Sequence, residues 1–238
     1  MKLNNKRTIL VGLAFLSICA FWQMYDSVVP LILTKTFHMN ETFSGAIMAA
    51  DNILALFLLP FFGSLSDRSH SKIGKRMPFI LFGTGCAVIL MNILPLLDNS
   101  YAAQPSGFKT ASFVIVLGLL LVAMGTYRAP AVALMPDVTP KPLRSRANAI
   151  INLMGAVGGI LYLGVAAVLY PNSKTAGLDH VNYQPLFIVV SAIMFVAVAV
   201  LFLTIREPKL TAENQALEKQ HPEWNLAQAA GSGHETLP

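Results

Sequence analysis

Charge is scarce in this 238-residue chain. Asp, Glu, Lys and Arg together make up 12% of it, about half the share of an ordinary soluble domain. Cysteine is almost absent: Cys19 and Cys86 both lie inside apolar runs, where cysteine acts as a small apolar filler. That excludes a disulfide-stapled scaffold. The five histidines (His38, His70, His180, His221 and His234) fall in connecting segments or the polar carboxy-terminal stretch. No His-Glu-x-x-His motif occurs, no His or Cys cluster suggests a bound metal, and no serine stands in a nucleophile-elbow setting. Cofactor, metal and intramembrane-protease chemistries are therefore not expected.

Long apolar runs are what the chain has instead. Hydrophobic residues make up 55% of it, and the mean hydropathy is +0.59. Six stretches are long enough to cross about 30 Å of hydrocarbon: Thr8–Leu33, Thr42–Gly63, Met77–Leu97, Ala111–Met135, Ala147–Tyr170 and Pro185–Ile205. A soluble domain buries one such helix, not six in succession. The expected class is an all-α membrane protein, a six-helix bundle over residues 1–206. The first run follows the basic stretch MKLNNKR, but it exceeds a secretion signal's apolar core and lacks a small-residue cleavage site, so it reads as a retained helix. From residue 207 onward the chain turns polar, which predicts a mobile tail or central-loop remnant with one short helix near 210–219.

Basic residues in the connections predict the orientation. Lys2, Lys6, Arg7, Arg68, Lys72, Lys75, Arg76, Lys141, Arg144, Arg146, Arg206 and Lys209 fall on alternate connections, which places 12 on one side against three on the other, namely Lys35, Lys109 and Lys174. By the positive-inside rule both termini face the cytoplasm of a multi-pass plasma-membrane protein. The net charge of +5 follows from this asymmetry and does not indicate a nucleic-acid surface.

Only three charged residues sit well inside the spans: Asp26, Asp51 and Arg128. At 1.5 Å per residue, Asp51 is central in its helix, Arg128 is a few ångströms to the inner side, and Asp26 is displaced outward. Intramembrane ionisable groups are costly and usually mark solute or ion pathways. The alternatives are that Arg128 snorkels toward Asp137, two turns away, and that Asp26 faces water at a helix end. Gln23, Ser27, Trp22 and Tyr25 accompany Asp26, Asn52 follows Asp51, Thr126 and Tyr127 precede Arg128, and Asn148 and Asn152 share one face of helix five. Amides and aromatic rings around a few charges suit a polyhydroxylated solute. Helices three and six carry no interior charge and read as scaffold.

Gly155-x-x-x-Gly159 in helix five permits close helix packing. Asp26 lies eighteen residues after Thr8 and Arg128 seventeen after Ala111, a faint sign of two inverted three-helix repeats, as in many secondary transporters.

The connection after helix two, GSLSDRSHSKIGKR (Gly63 to Arg76), resembles the signature loop of the major facilitator superfamily at Gly63, Asp67, Arg68, Gly74, Lys75 and Arg76. Its longer Arg68-to-Gly74 spacing is similar to that of the glycoside-pentoside-hexuronide cation symporters and the sucrose-transporter-like branch. AADNILALFLLPFFG (Ala49–Gly63) and YRAPAVALMPDVTPKPLRSRANAIINLMG (Tyr127–Gly155) resemble the same branch in an acid on helix two and an arginine on helix four. The resemblance implies a secondary transporter of a small polar solute, a sugar or glycoside, by cation symport with a proton as the expected ion. Asp26, Asp51, Arg128, Gln23, Asn52, Tyr127 and Asn152 would then form the solute and coupling-ion site, with Asp67, Arg68, Lys75 and Arg76 in a cytoplasmic gate. The family pairs two six-helix bundles, so a complementary half or second copy is expected as a partner within the lipid bilayer. The alternative is a six-helix channel or regulatory membrane subunit.

Overall fold

The computed structural model describes residues 3–224. Six long helices run through it: helix one Asn5–Leu31, two Glu41–Asp67, three Met77–Ala103, four Gly107–Val138, five Arg144–Leu169 and six Gln184–Thr204. Each is long and apolar enough to cross a membrane, and no strand occurs among the described residues. Each helix overlaps one apolar run, and most extend further. Hydropathy marks only the part of a helix that must avoid water, whereas polar residues continue it into the interface. Asn4 and Asn40 show how the starts are set: their side-chain oxygens accept from the backbone N–H of Arg7 and Thr42 at 3.2 and 3.0 Å, satisfying donors that a helix start leaves open.

Helix one passes at Ile32 into a single π turn that ends at Thr36. Pro30 stands just before it and has no N–H to give. The Thr34 hydroxyl donates to the Pro30 carbonyl at 2.8 Å, a side-chain bond inside the disturbed turn.

The packing repeats itself with opposite sense. Helix one packs along helix five as helix four packs along helix two. Helix three lies on four as six lies on one, and three and six touch each other. Exchanging one with four, two with five and three with six therefore reproduces the contact pattern, which is the inverted three-plus-three repeat. The core lies where helices one, three, four and six meet, around Phe21, Met24, Met91, Met124, Phe187 and Met194.

Small residues allow the closest approaches. A Cβ on Gly158 would run into the Leu16 carbonyl, and one on Gly155 would meet the Cys19 sulfur at 2.9 Å. One on Gly159 would find only Gln23 Oε1 at 3.8 Å. The tight pair on helix five is thus Gly155 and Gly158, not the Gly155-x-x-x-Gly159 pair of the sequence pattern.

The polar stretch after helix six contains the short helix expected near 210–219, but that helix is docked rather than loose. Glu207–Gln220 is helical, with Glu207 and Asn214 buried, and it docks beneath helix four. Residues 225–238 of that stretch lie outside the described residues.

Candidate functional site

Asp51, Arg128 and Trp22 line one cavity of about 20 Å³, walled by Leu54, Ala55, Leu58, Leu59, Leu121 and Gly125. That volume admits about one water. Helix two brings the acid, helix four the arginine and helix one the indole. Asp51 and Arg128 share the cavity without forming an ion pair. The guanidinium instead lies over the Trp22 ring, 5.5 Å from its centroid, in cation–π range. Asp137, the acid toward which snorkelling would carry Arg128, is occupied by Arg76 and Lys75 at 2.9 and 3.3 Å.

Three polar atoms at this site are buried with no hydrogen-bond partner among the described residues: Asp51 Oδ1, Trp22 Nε1 and the Tyr25 hydroxyl. Native interiors leave few such groups unpaired. Phe21, Trp22 and Tyr25 form a ladder of rings along helix one, with centroids 5.2 Å apart for the first pair and 5.3 Å for the second. The site therefore presents one acceptor, two donors, a fixed cation and an aromatic wall.

The remaining sequence candidates separate. Asp26 is exposed on helix one, yet near enough to Asp51 for their charges to interact. Gln23, Asn52 and Asn152 are also exposed, on helices one, two and five, and none lines the small cavity. Tyr127 departs furthest from the expectation of a solute contact. It is fully buried, its hydroxyl lies 2.6 Å from that of Ser17, and both reach the Ala14 carbonyl, at 3.0 and 2.9 Å. Its backbone also lies tight against helix three, since a Cβ on Gly83 would sit 2.7 Å from the Tyr127 nitrogen. Tyr127 is a rivet between helices four and one.

At the end bearing the basic connections, Arg76 is buried and uses its whole fork. Nε donates to Asp137 at 2.9 Å, Nη1 to the Ser66 hydroxyl at 2.5 Å and the Gly63 carbonyl at 3.2 Å, and Nη2 to Asp67. Lys75 adds ion pairs to Asp137 and Asp67 at 3.3 and 3.7 Å. The ends of helices two and four are thus clamped to the start of helix three. Arg68 stays exposed and outside this cluster.

Beside the clamp, the buried Glu207 carboxylate accepts from the backbone N–H groups of Lys75, Arg76 and Met77 at 2.9 Å each. An acid on the first N–H groups of a helix is favoured by both hydrogen bonding and the helix dipole. Gly74, at φ +118°, has to be glycine, because a Cβ there would collide with Glu207. Asn214 donates to the Asp137 carbonyl at 3.1 Å, and Arg144 joins Pro136 and Thr139 carbonyls to Glu218.

Residues 11–231 match the profile of the Major Facilitator Superfamily. The chain belongs to that superfamily. It is similar to the sucrose transport protein SUC3 of Arabidopsis thaliana, 35% identical over 145 residues, which are 56% of this chain and 24% of that protein. It is 25% identical over 179 residues to the alpha-ketoglutarate permease of Escherichia coli, covering 74% of this chain and 38% of the permease. With human solute carrier family 45 member 3 the identity is 26% over 185 residues, 76% of this chain and 33% of the relative. The chain spans well under half the length of each of these relatives.

Within this superfamily fold the clamp contains residues that sequence reasoning left out. From sequence, Asp137 is only a snorkelling target, and Glu207, Asn214 and Glu218 fall in the polar tail. The available signal was weak. Asp137 and Glu207 each follow or precede a proline at a helix boundary, but nothing in the sequence alone brings positions 67, 76, 137 and 207 together.

Proposed function

We propose that this chain is one six-helix bundle of a secondary active transporter for a small polar solute, a sugar or glycoside, driven by a cation and in particular a proton. The observation that carries the reading is the mid-span polar set: Asp51 and Arg128 in one cavity with Trp22, beside the exposed Gln23, Asp26, Asn52 and Asn152. Exposed amides and acids at that depth are expensive against hydrocarbon, so a water-filled space between bundles covers them. A sucrose transport protein among the relatives favours a sugar.

In this reading Arg128 is the fixed cation that orients solute oxygens through its rigid fork. Asp51 is the central acid that takes up the coupling proton, and Asp26 lies on the path to the opposite face. The basic end faces the cytoplasm of the plasma membrane. There the Arg76 clamp holds helices two, three and four as one body, and Arg68 with the exposed side of Asp67 meets the complementary bundle. Alternating access then proceeds by rocking one bundle against the other.

Asp51→Asn tests the assignment. In proteoliposomes holding the chain with its complementary bundle, the variant loses proton-driven accumulation of labelled sucrose but keeps downhill exchange. Undiminished concentrative uptake overturns it, and an ion leak insensitive to sugar identifies a channel instead.

A further inference from the structure

The end of the bundle opposite the gate holds an ionisable pair that the transport site does not use. Asp98, near the end of helix three, is fully buried, and among the described residues neither of its carboxylate oxygens has a hydrogen-bond partner of good geometry, although the Thr36 hydroxyl lies close enough to interact. His180, in the connection before helix six, places Nδ1 3.9 Å from Asp98 Oδ2. The same Nδ1 lies 3.1 Å from the Thr36 hydroxyl, at the end of the π turn of helix one. Nε2 lies 2.9 Å from Asn99 Oδ1.

The hydrogen bonds constrain the protons. The histidine nitrogen facing Asn99 Oδ1 is a donor there, so in the neutral ring Nδ1 is an acceptor and takes the Thr36 hydroxyl proton. The Thr36 hydroxyl also lies within reach of the Asp98 carboxylate, so its one proton cannot serve both acceptors, and a fully buried carboxylate so poorly paired is strongly disfavoured. One more proton resolves this, either on Asp98 or on Nδ1, where it points to Asp98 and displaces the Thr36 bond. We infer that Asp98 and His180 form a proton-binding site, distinct from Asp51, that latches the connection before helix six to helices one and three. Taking up one proton changes the pair's net charge from −1 to 0 and exchanges a His180–Thr36 contact for a His180–Asp98 contact.

Among the described residues the surroundings supply no competing ion. Helix one and its extension present Thr36, with Lys35 and His38 exposed. On helix three, Tyr101 packs its ring on Phe37, 4.4 Å between centroids. Lys109 of helix four is engaged with the carbonyls of Ser100 and Gln104 at 2.8 and 2.9 Å. In the connection itself Asp179 is exposed, Tyr183 interacts electrostatically with Asp98, and Tyr170 donates to the Asn182 carbonyl at 2.7 Å. The pair shares one exchangeable proton, so the latch responds to the pH of the compartment it faces.

The test uses the full chain in lipid nanodiscs, with Cys19 and Cys86 replaced by alanine and one reporter cysteine at the exposed Leu178. Labelling by a charged thiosulfonate, corrected for reagent and thiolate chemistry with an unfolded control, is followed from pH 5 to 8. The expected result is a rate that rises at least threefold as the proton is lost. Asp98→Asn, which cannot hold the charge, and His180→Gln each flatten the profile. A flat profile in the parent, or an unchanged pH dependence in both variants, overturns the proposal. Should Asp98→Asn fail to fold, His180→Gln alone decides.

Discussion

Arg128 is the residue on which the site turns. Over the Trp22 ring and inside the cavity of Asp51, it is partnered by the ring face rather than by an ion-paired carboxylate. Lysine keeps the charge but loses the planar fork and much of the stacking. Arg128→Lys is therefore expected to weaken sugar binding about tenfold or more, and Arg128→Leu to abolish it, both with nearly normal folding. Isothermal titration of the two-bundle protein with sugar, beside its thermal unfolding, checks this; normal binding by Arg128→Leu contradicts it. At this scale the sequence was informative where a residue broke a pattern. A charge inside an apolar run has few explanations, so Asp26, Asp51 and Arg128 stood out. Tyr127 was misleading because its neighbour in sequence is Arg128, while 100° of helical rotation turns adjacent side chains onto different faces.

Among the elements, helices one and five set the finest tolerance. The Gly158 position meets helix one's backbone at Leu16, whereas Gly159 has open room but for the end of Gln23. A methyl group at 158 forces two backbones apart, and overpacking of that kind costs about 1–3 kcal/mol. Gly158→Ala is expected to lower the melting midpoint by several degrees, and Gly159→Ala to leave it within about one degree. Equal effects of the two would refute the packing described for this pair. Helix existence was legible from hydropathy because a bilayer demands one length and one chemistry. Which glycine is tight was not, because Gly155, Gly158 and Gly159 lie within five residues and helix rotation alone decides among them. The helix expected near 210–219 is there as Glu207–Gln220, but its docking was not legible: it is held by Glu207 on backbone N–H groups and by Asn214 on a carbonyl, and polar docking leaves no apolar periodicity to read.

For the molecule as a whole, the central claim is that the face bearing Asp51, Arg128 and Asn152 borders a water-filled cavity between bundles rather than lipid. The inverted repeat places helices one, two, four and five around that face, with three and six joined behind. The apolar side of helix two, with Ile53, Leu56, Phe57 and Phe61 exposed, remains for lipid or the second bundle. The most direct measurement is the reactivity of single cysteines at 128 and 152 in membranes, with Cys19 and Cys86 replaced, toward a charged, membrane-impermeant thiosulfonate and a lipid-soluble maleimide. The account predicts that both positions react with the charged reagent and that saturating sugar slows the reaction at 152, where Arg128 is intact. Labelling by the lipid-soluble reagent alone, with no protection by sugar, would contradict it.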